Sequence, residues 1–472
     1  MLSGACVYTL PVVRLTTASA EQCFTCTPVD FEIAGQRLKY WRKQQTEKTA
    51  RWKCFAKLPL VLNADGSLWE PACLWLLNKA QARPLNLGSL PFIAQGLRFY
   101  KLFLDELELS WDDFSSVDKY TRPTYLYKTY LQELIDAGTI AKSTASRRMS
   151  TIVAFYRFLL RHQEMRFHPP NDPWIDRKVG FEYSDSKGFK QIKVVTTTNL
   201  SILVRKSDYA WDATIADGGK LRPLAAEEQK CLVAALKKLG NREYELMHYV
   251  SMLTGARVQT LLTLRWGYFQ SEPSSIKQWP FKLRCGPGTG IDTKRDVPDV
   301  YLTFPRALYE MLFVYARSAR ASTRRARSRL LDEPGNYLFL TNQGSPYYES
   351  KEDRNAVRTS DEVLLRSSPV GQNLREFMKQ MVLPEMRKTL PDFHYKFHDL
   401  RATFGMNWVD HVLGNEGTKE KYMWARDQLR KLMWHKDAST TDRYLEHRRH
   451  MRDLQMVQEG WSQDLIDLIL TS

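Results

Sequence analysis

The chain of 472 residues is short of several things, and each shortage removes a class of function. No apolar run approaches the ~18 residues that a membrane-spanning helix needs, so an integral membrane protein is not expected. The opening stretch MLSGACVYTLPVVRLTTASA has neither a basic head nor a long apolar centre, and reads as a poor secretory signal. Cysteine is sparse and odd in number: seven, scattered from Cys6 to Cys285, which points to a reducing compartment rather than a disulfide framework. Cys23 and Cys26 have the spacing of half a zinc site. The other half would have to come from Cys6, Cys54 or Cys73, with no histidine before His162, so the thiols read as structural and no metal is expected. Internal repeats are lacking. Acidic residues are in deficit, 53 Asp and Glu against 69 Lys and Arg, for a net charge of +16. That imbalance favours a polyanion as partner, and nucleic acid over a membrane surface, because no basic amphipathic helix dominates.

Apolar residues, by contrast, are plentiful at 43% of the chain, enough for real cores rather than general disorder. The length leaves room for about two to four domains. Residues 1–75 are mixed, with LVLNADGSLW (Leu60–Trp69) reading as a hairpin that turns at Asp65-Gly66. Residues 76–175 read as a helical domain. Ile93, Leu97, Tyr100, Leu104 and Leu107 follow helical spacing, and in STASRRMSTIVAFYRFLLRH the residues Met149, Ile152, Val153, Tyr156, Leu159 and Leu160 share a face, with Ser143 or Thr144 as N-cap. Arg147, Arg148, Arg157 and Arg161 lie off that face, either solvated or touching phosphates. His168–Pro173 ends the unit, since clustered prolines cannot continue a helix. Residues 176–220 look extended and linker-like, with an Asp-Gly-Gly turn. From 221 to 472 the pattern is helical around a small strand region near 280–304, with Pro223 at the entry of the first helix. The fold class expected is mainly α with a small antiparallel β-sheet. The run RSARASTRRARSR (Arg317–Arg329) carries six arginines. So many like charges repel unless a counter-charge relieves them, which makes Arg324 and Arg325 candidates for DNA contact against the plainer reading of a solvated helix face.

A handful of residues could carry chemistry. In TGARVQTLLTLRW, the glycine ends one helix and Arg257 opens a leucine-rich one, where a guanidinium is costly unless it meets an anion, either a phosphate or a carboxylate. Lys294 follows a turn between KQWPFKLRC and DVYLTFP and is either solvent-facing or mobile enough to donate a proton, with Lys282 as its substitute. In HDLRATFG, His398 and Arg401 stand at i and i+3, on one face of a helix. In MWHKDASTTDRYLEH, Ser439 or Thr440 can cap a helix starting near Thr441, leaving His435 upstream and Tyr444 in the first turns. Each of these is weak singly.

Their order is specific. TGAR, then a hairpin lysine, then HDLR, then HKDASTTDRY with Tyr444 nine residues after His435, resembles the tyrosine recombinase (phage integrase) family. RPLAAEEQKCLVAAL resembles that family's entry into its catalytic domain, and STASRRMSTIVAFYRFLL the last large helix of its core-binding domain. The resemblance spans about 80–175 and 221–450. The chain departs from the pattern at Thr260, where an acidic residue is common, at Trp434, where glycine is usual, and in the long interval between Arg401 and His435. The resemblance implies a helical core-binding domain at 76–175, an N-terminal extension that binds DNA or regulates at 1–75, a linker or insertion at 176–220 and a catalytic domain at 221–472. It implies that Tyr444 attacks a DNA phosphodiester to give a 3′-phosphotyrosyl link. Arg257 and Arg401 would stabilise the developing charge, His398 would act as base or positioner near the phenol, His435 would give a further hydrogen bond to the phosphate, and Lys294 would protonate the leaving 5′-oxygen, with no cofactor and no metal. Implied partners are double-stranded DNA attachment sites, the chain itself (monomer or dimer when free, tetramer on paired sites) and an accessory DNA-bending protein, in the cytoplasm with the nucleoid and without a membrane. Leu454, Val457, Trp461, Leu465 and Leu468 form a C-terminal stripe that packs in its own core or docks in a neighbouring subunit. Integration or excision of a mobile element is the outcome expected. The same chemistry fits a type IB topoisomerase or a hairpin telomere resolvase, and a DNA-binding protein with a decayed active site is the non-enzyme alternative.

Overall fold

Four helices gather around a tightly packed aromatic core in the first part of the chain. α1 (Glu70–Gln81) and α2 (Leu90–Glu106) each carry a proline in the first two positions, where its missing N–H costs nothing. α3 (Pro123–Asp136) starts on one, and α4 (Lys142–Arg161) completes the set. Trp69, Trp75, Tyr100, Tyr127, Phe155 and Tyr156 are all buried, and several meet edge to face, such as Tyr100 and Tyr127 at 4.8 Å between centroids. The buried face of α4 is Met149, Ile152, Val153, Phe155, Tyr156 and Leu159; Leu160, expected there, is exposed. α4 begins one turn earlier than expected, with Ala141 rather than Ser143 or Thr144 at its N-cap. Leu107, expected on the stripe of α2, lies past its end and is exposed.

The structure is a computed structural model that describes residues 4–15, 24–33, 36–45, 53–82, 87–184, 190–203, 213–294, 299–356, 371–414 and 418–471. It forms two units, the first made of Met1–Tyr183 together with Ile192–Asp208 and Ala356–Leu365. The division expected at 75/76 falls inside α1. The reason is packing: β1 (Cys6–Leu15) pairs antiparallel with β4 (Lys53–Leu62), and Phe55, Leu58 and Val61 join the same core as the helices. β2 (Phe24–Ile33) and β3 (Gln36–Gln45) make a second antiparallel ribbon. After β4 the chain turns at Asp65-Gly66 as expected, but the returning arm is a single bridge at Leu68 before α1 starts. In the stretch 176–220, expected to be a linker, β5 (Asp176–Ser184) pairs with β6 (Lys190–Thr198), and a short hairpin joins β7 (Ile215–Ala216) to β8 (Lys220–Leu221).

The second unit, from β7 onward, is helical with two small antiparallel pairs, β7–β8 and one further on, the mainly α class read from the pattern. α5 (Ala226–Leu239), α6 (Arg242–Thr254) and α7 (Val258–Leu262) lead into β9 (Phe281–Cys285) and β10 (Val300–Phe304), in register from Phe281↔Phe304 to Cys285↔Val300. α8 (Arg306–Arg317), α9 (Ala319–Ala326), α10 (Lys351–Ala356), α11 (Gln372–Phe377) and α12 (Leu383–Arg387) follow. α13 (Asp399–Leu413), α14 (Lys419–Leu432) and α15 (Ala438–Thr471) close the unit. One core gathers α5 to α8 around Leu246, Val250, Leu261, Phe304 and Leu312. A second joins α13, α14 and α15 through Val409, Leu413, Leu429, Met433 and Tyr444, and takes in Ile215 and Leu221 of the short hairpin. No helix among the described residues is long and apolar enough to cross a membrane.

Candidate active site

Arg257 is placed by a glycine. α6 ends at Gly255 in the left-handed region, and a β-carbon there would sit 2.5 Å from the Phe404 ring of α13, so only glycine permits both the turn and the approach. The chain then re-enters a helix at α7 with Arg257 as its N-cap. His398 caps α13, and Arg401 stands in its first turn, 2% exposed. His435 lies in the short connection from α14 to α15, and Tyr444 on the second turn of α15, fully buried. α15 starts at Ala438, so Ser439 and Thr440 lie inside its first turn rather than capping it.

These five side chains converge on one residue that the sequence did not mark, Asp217, at the tip between β7 and β8, four of them on its carboxylate. Arg401 Nε donates to its Oδ2 at 2.8 Å, and Arg257 Nη2 lies 3.4 Å from Oδ1. His435 Nε2 is 3.1 Å from Oδ2, and the Tyr444 hydroxyl donates to the same oxygen at 3.2 Å. His398 Nε2 reaches the Asp217 backbone carbonyl at 3.3 Å. In the sequence Asp217 was hidden by Asp-Gly-Gly, which reads as turn chemistry; the one available signal was an acidic residue at a turn just ahead of a cationic set.

Each group is held from behind. Arg401 Nη1 donates to the Gly255 carbonyl at 2.6 Å and Nη2 to that of Met433, which ties α6, α13 and the His435 segment together. His435 Nδ1 meets Thr441 Oγ1 at 3.0 Å, and the rings of His435 and Tyr444 stack with centroids 5.7 Å apart. Behind Tyr444 lies Gly405 of α13, where a β-carbon would fall 2.5 Å from the phenol ring. Trp434, where the resembled family has glycine, has φ of +54°, and its indole N–H donates to the Tyr301 carbonyl of β10 at 3.1 Å. The position therefore does ask for a left-handed backbone, and the indole bond holds a residue that disfavours one.

Burial and charge set the protonation states. Burial alone would raise the Asp217 pKa, but the hydrogen bond with His435 and the charges of Arg401 and Arg257 hold it well below the usual carboxylate range. Burial, then the Asp217 charge, pushes the Tyr444 phenol well up. Burial and the neighbouring Arg401 bring Arg257 down to about 10, and the same two causes lower His398. His435 is lowered by burial against the opposing pull of Asp217.

Lys294 is exposed at the rim, its Nζ 2.9 Å from where a β-carbon on Gly218 would stand. Both Lys294 and Lys282 line a cleft of about 1240 Å³ that opens onto Asp217, Arg257 and His435. The remaining candidates are elsewhere. Arg147 and Arg161 are exposed on α4, whereas Arg148 lies over the Phe99 ring and Arg157 pairs with Asp176 at 3.5 Å. Arg324 and Arg325, expected to meet DNA, are buried, 5% and 4% exposed. Arg324 bonds the Leu340 carbonyl, Asn342 and the fully buried Glu243; Arg325 bonds Asp332 and the Ala316 carbonyl. The repulsion within the arginine run is relieved from inside the fold. Arg317, Arg320, Arg327 and Arg329 of the run stay exposed. On the C-terminal stripe, Leu454 and Val457 face solvent, while the side chains of Trp461, Leu465 and Leu468 lie outside the described residues.

No family model matches the chain, and no curated protein matches it by sequence. Among solved structures it is similar to a lambda integrase dimer bound to a COC′ core site, at 11% identity over 79% of this chain and 94% of that one, with a TM-score of 0.43. It is also similar to the Tn1549 transposon integrase in complex with circular intermediate DNA (12% identity, 79% and 94% covered, TM-score 0.38). A third likeness is to XerA recombinase (13% identity, 82% and 97% covered, TM-score 0.30). At such scores these likenesses assign no role to any residue here.

Proposed function

We propose that this chain is a tyrosine recombinase that cuts and rejoins DNA to integrate or excise a mobile element. The observation that carries this reading is the convergence of two guanidiniums, an imidazole and a phenol hydroxyl on the two oxygens of one buried carboxylate. That is a seat for a monoanion with a nucleophile in contact with it. Two other phenols also donate to carboxylates paired with arginine, Tyr315 to Glu243 and Tyr337 to Asp353, but the bonds described for those carboxylates include no imidazole.

With a DNA phosphodiester in the seat, the Tyr444 oxygen attacks phosphorus and the bond from phosphorus to the 5′-oxygen breaks. The products are a 3′-phosphotyrosyl link and a 5′-hydroxyl. The phenol proton leaves toward His398, and Lys294 gives a proton to the departing oxygen, so charge and atoms balance. Arg401, fixed by the Gly255 and Met433 carbonyls, and Arg257 meet the charge that grows on the non-bridging oxygens; a preorganised donor contributes about 3–4 kcal/mol. The reverse steps with a 5′-hydroxyl from a second duplex exchange strands, without ATP because the covalent link conserves the bond. Arg147 and Arg161 contact the duplex backbone, and the solvent-facing Leu454, Val457 and Ile466 of α15 dock on a neighbouring subunit of a tetramer.

The test is incubation with nicked duplexes made from the genomic flanks of the gene. A denaturation-resistant adduct should form, map to the peptide holding Tyr444, and vanish in Tyr444→Phe. An adduct that persists in that variant, or maps to another residue, overturns the reading.

A further inference from the structure

We propose that the β7–β8 tip is an internal pseudosubstrate: Asp217 occupies the seat of the scissile phosphate and must swing out before a phosphodiester can enter. The inference rests on the function proposed above only in naming the displaced anion as DNA. The occupancy itself is a matter of geometry.

A carboxylate and a phosphodiester carry the same single charge and each offers two unbridged oxygens to donors. Asp217 fills that part with contacts from four separate segments, two of them charge-assisted, and is 4% exposed. The fit is nevertheless incomplete. Arg257 Nε is buried without an acceptor, as a buried donor rarely is. The carboxylate's two oxygens leave Nε over, whereas a phosphodiester adds two ester oxygens to its two unbridged ones. The seat is built for something with more oxygens than its present occupant.

The occupant is also mounted so that it can leave. Only Asp217, Gly218 and Gly219 separate two strands of two residues each, and Gly218 has φ of +73°. The stem is fixed by buried Ile215 and Leu221 and by a 2.6 Å bond from Arg443 to the Ala216 carbonyl. A swing of the tip therefore leaves the stem in place. On the other side of Asp217 lies the lysine-lined cleft, through which an anion would arrive as the carboxylate moves into water. While Asp217 is seated, Tyr444 donates to it and is held as a phenol with no phosphorus to attack.

The test uses the full chain and inorganic phosphate, with affinity read by titration calorimetry. A seat filled most of the time lowers apparent affinity by the filled fraction, so Asp217→Asn should bind phosphate at least about tenfold more tightly than wild type. The gain should disappear in Asp217→Asn combined with Arg257→Gln. Because removing the carboxylate leaves two buried arginines uncompensated, Gly218→Ala serves as a second arm. It keeps every charge but strains the tip, since its β-carbon would lie 2.9 Å from Lys294 Nζ. A severalfold gain is expected in it too. Equal phosphate affinity in wild type and in whichever variants fold refutes the proposal. The nicked-duplex assay separates the two readings. Phosphate affinity released without any adduct sinks the DNA-cleaving function and leaves the pseudosubstrate standing. An adduct at wild-type rate with unchanged phosphate affinity does the opposite.

Discussion

Substituting Gly405 by alanine adds one carbon and removes no reacting group, which makes it a sharp probe of how Tyr444 is positioned. The new β-carbon would stand 2.5 Å from Tyr444 Cε1, 2.8 Å from Cδ1 and 3.0 Å from Met433 Sδ. Ordinary carbon contacts lie near 3.5–4.0 Å, so the overlap is about 1 Å, against a ring with no exposed surface to retreat into. Overpacking of this kind costs about 1–3 kcal/mol, while alanine in a helix interior returns about 1 kcal/mol over glycine. Net destabilisation is then about 0–2 kcal/mol, and the protein should still fold. The chemistry is more sensitive: moving a nucleophile by about 1 Å costs on the order of 100-fold in rate. Adduct formation on nicked duplex, followed by denaturing gel against time, should therefore fall far more than the melting temperature does, with duplex binding unchanged. An adduct rate within about twofold of wild type, in a protein that melts normally, would show that α13 does not fix the phenol and would refute the packing argument.

Arg324→Met should destabilise the chain by about 1–3 kcal/mol in urea titrations, because Glu243 keeps Arg320 and Tyr315 while the Leu340 carbonyl and Asn342 lose their donor, yet leave the salt dependence of DNA binding unchanged; a weaker salt dependence would restore the contact role. Trp434→Gly should relieve about 1–2 kcal/mol of backbone strain but lose the indole bond to Tyr301, so thermal stability should move little while hydrogen exchange in the 433–436 segment quickens. His248, bonded to the Tyr244 carbonyl and to the Tyr395 hydroxyl in the core, has its pKa pushed down to about 4 by burial. Since the unfolded chain takes up this proton near pH 6.5 and the folded chain only near 4, stability is full above that window and falls as pH drops through it, by about 3 kcal/mol in all. Denaturant midpoints measured from pH 7 to 4 should show this slope, and it should flatten in His248→Gln.

What the sequence made legible was order. Arg257, His398, Arg401, His435 and Tyr444 are spread over nearly 190 positions, and the fold gathers them because each sits at a helix end or in a helix's first two turns, which local pattern reveals. Asp217 was invisible for the opposite reason: a residue that suits a turn gives no sign of the direction its side chain takes. Arg324 and Arg325 show the converse limit. A charge run is solvated or buried according to what faces it, and Glu243 lies some 80 positions away. The position 75/76 falls inside α1, and ribbon β1–β4 shares the core of the helices, a contact that local pattern does not show.

The helix that carries Tyr444 does not stop near it. α15 runs unbroken to Thr471, 27 residues beyond Tyr444, which at 1.5 Å per residue makes a rod of roughly 40 Å. Such a rod is a lever. Torque applied along it by anything that grips the near part is transmitted to the phenol, whereas Gly460, its single glycine, is the weak joint at which a pull on the far end would bend instead.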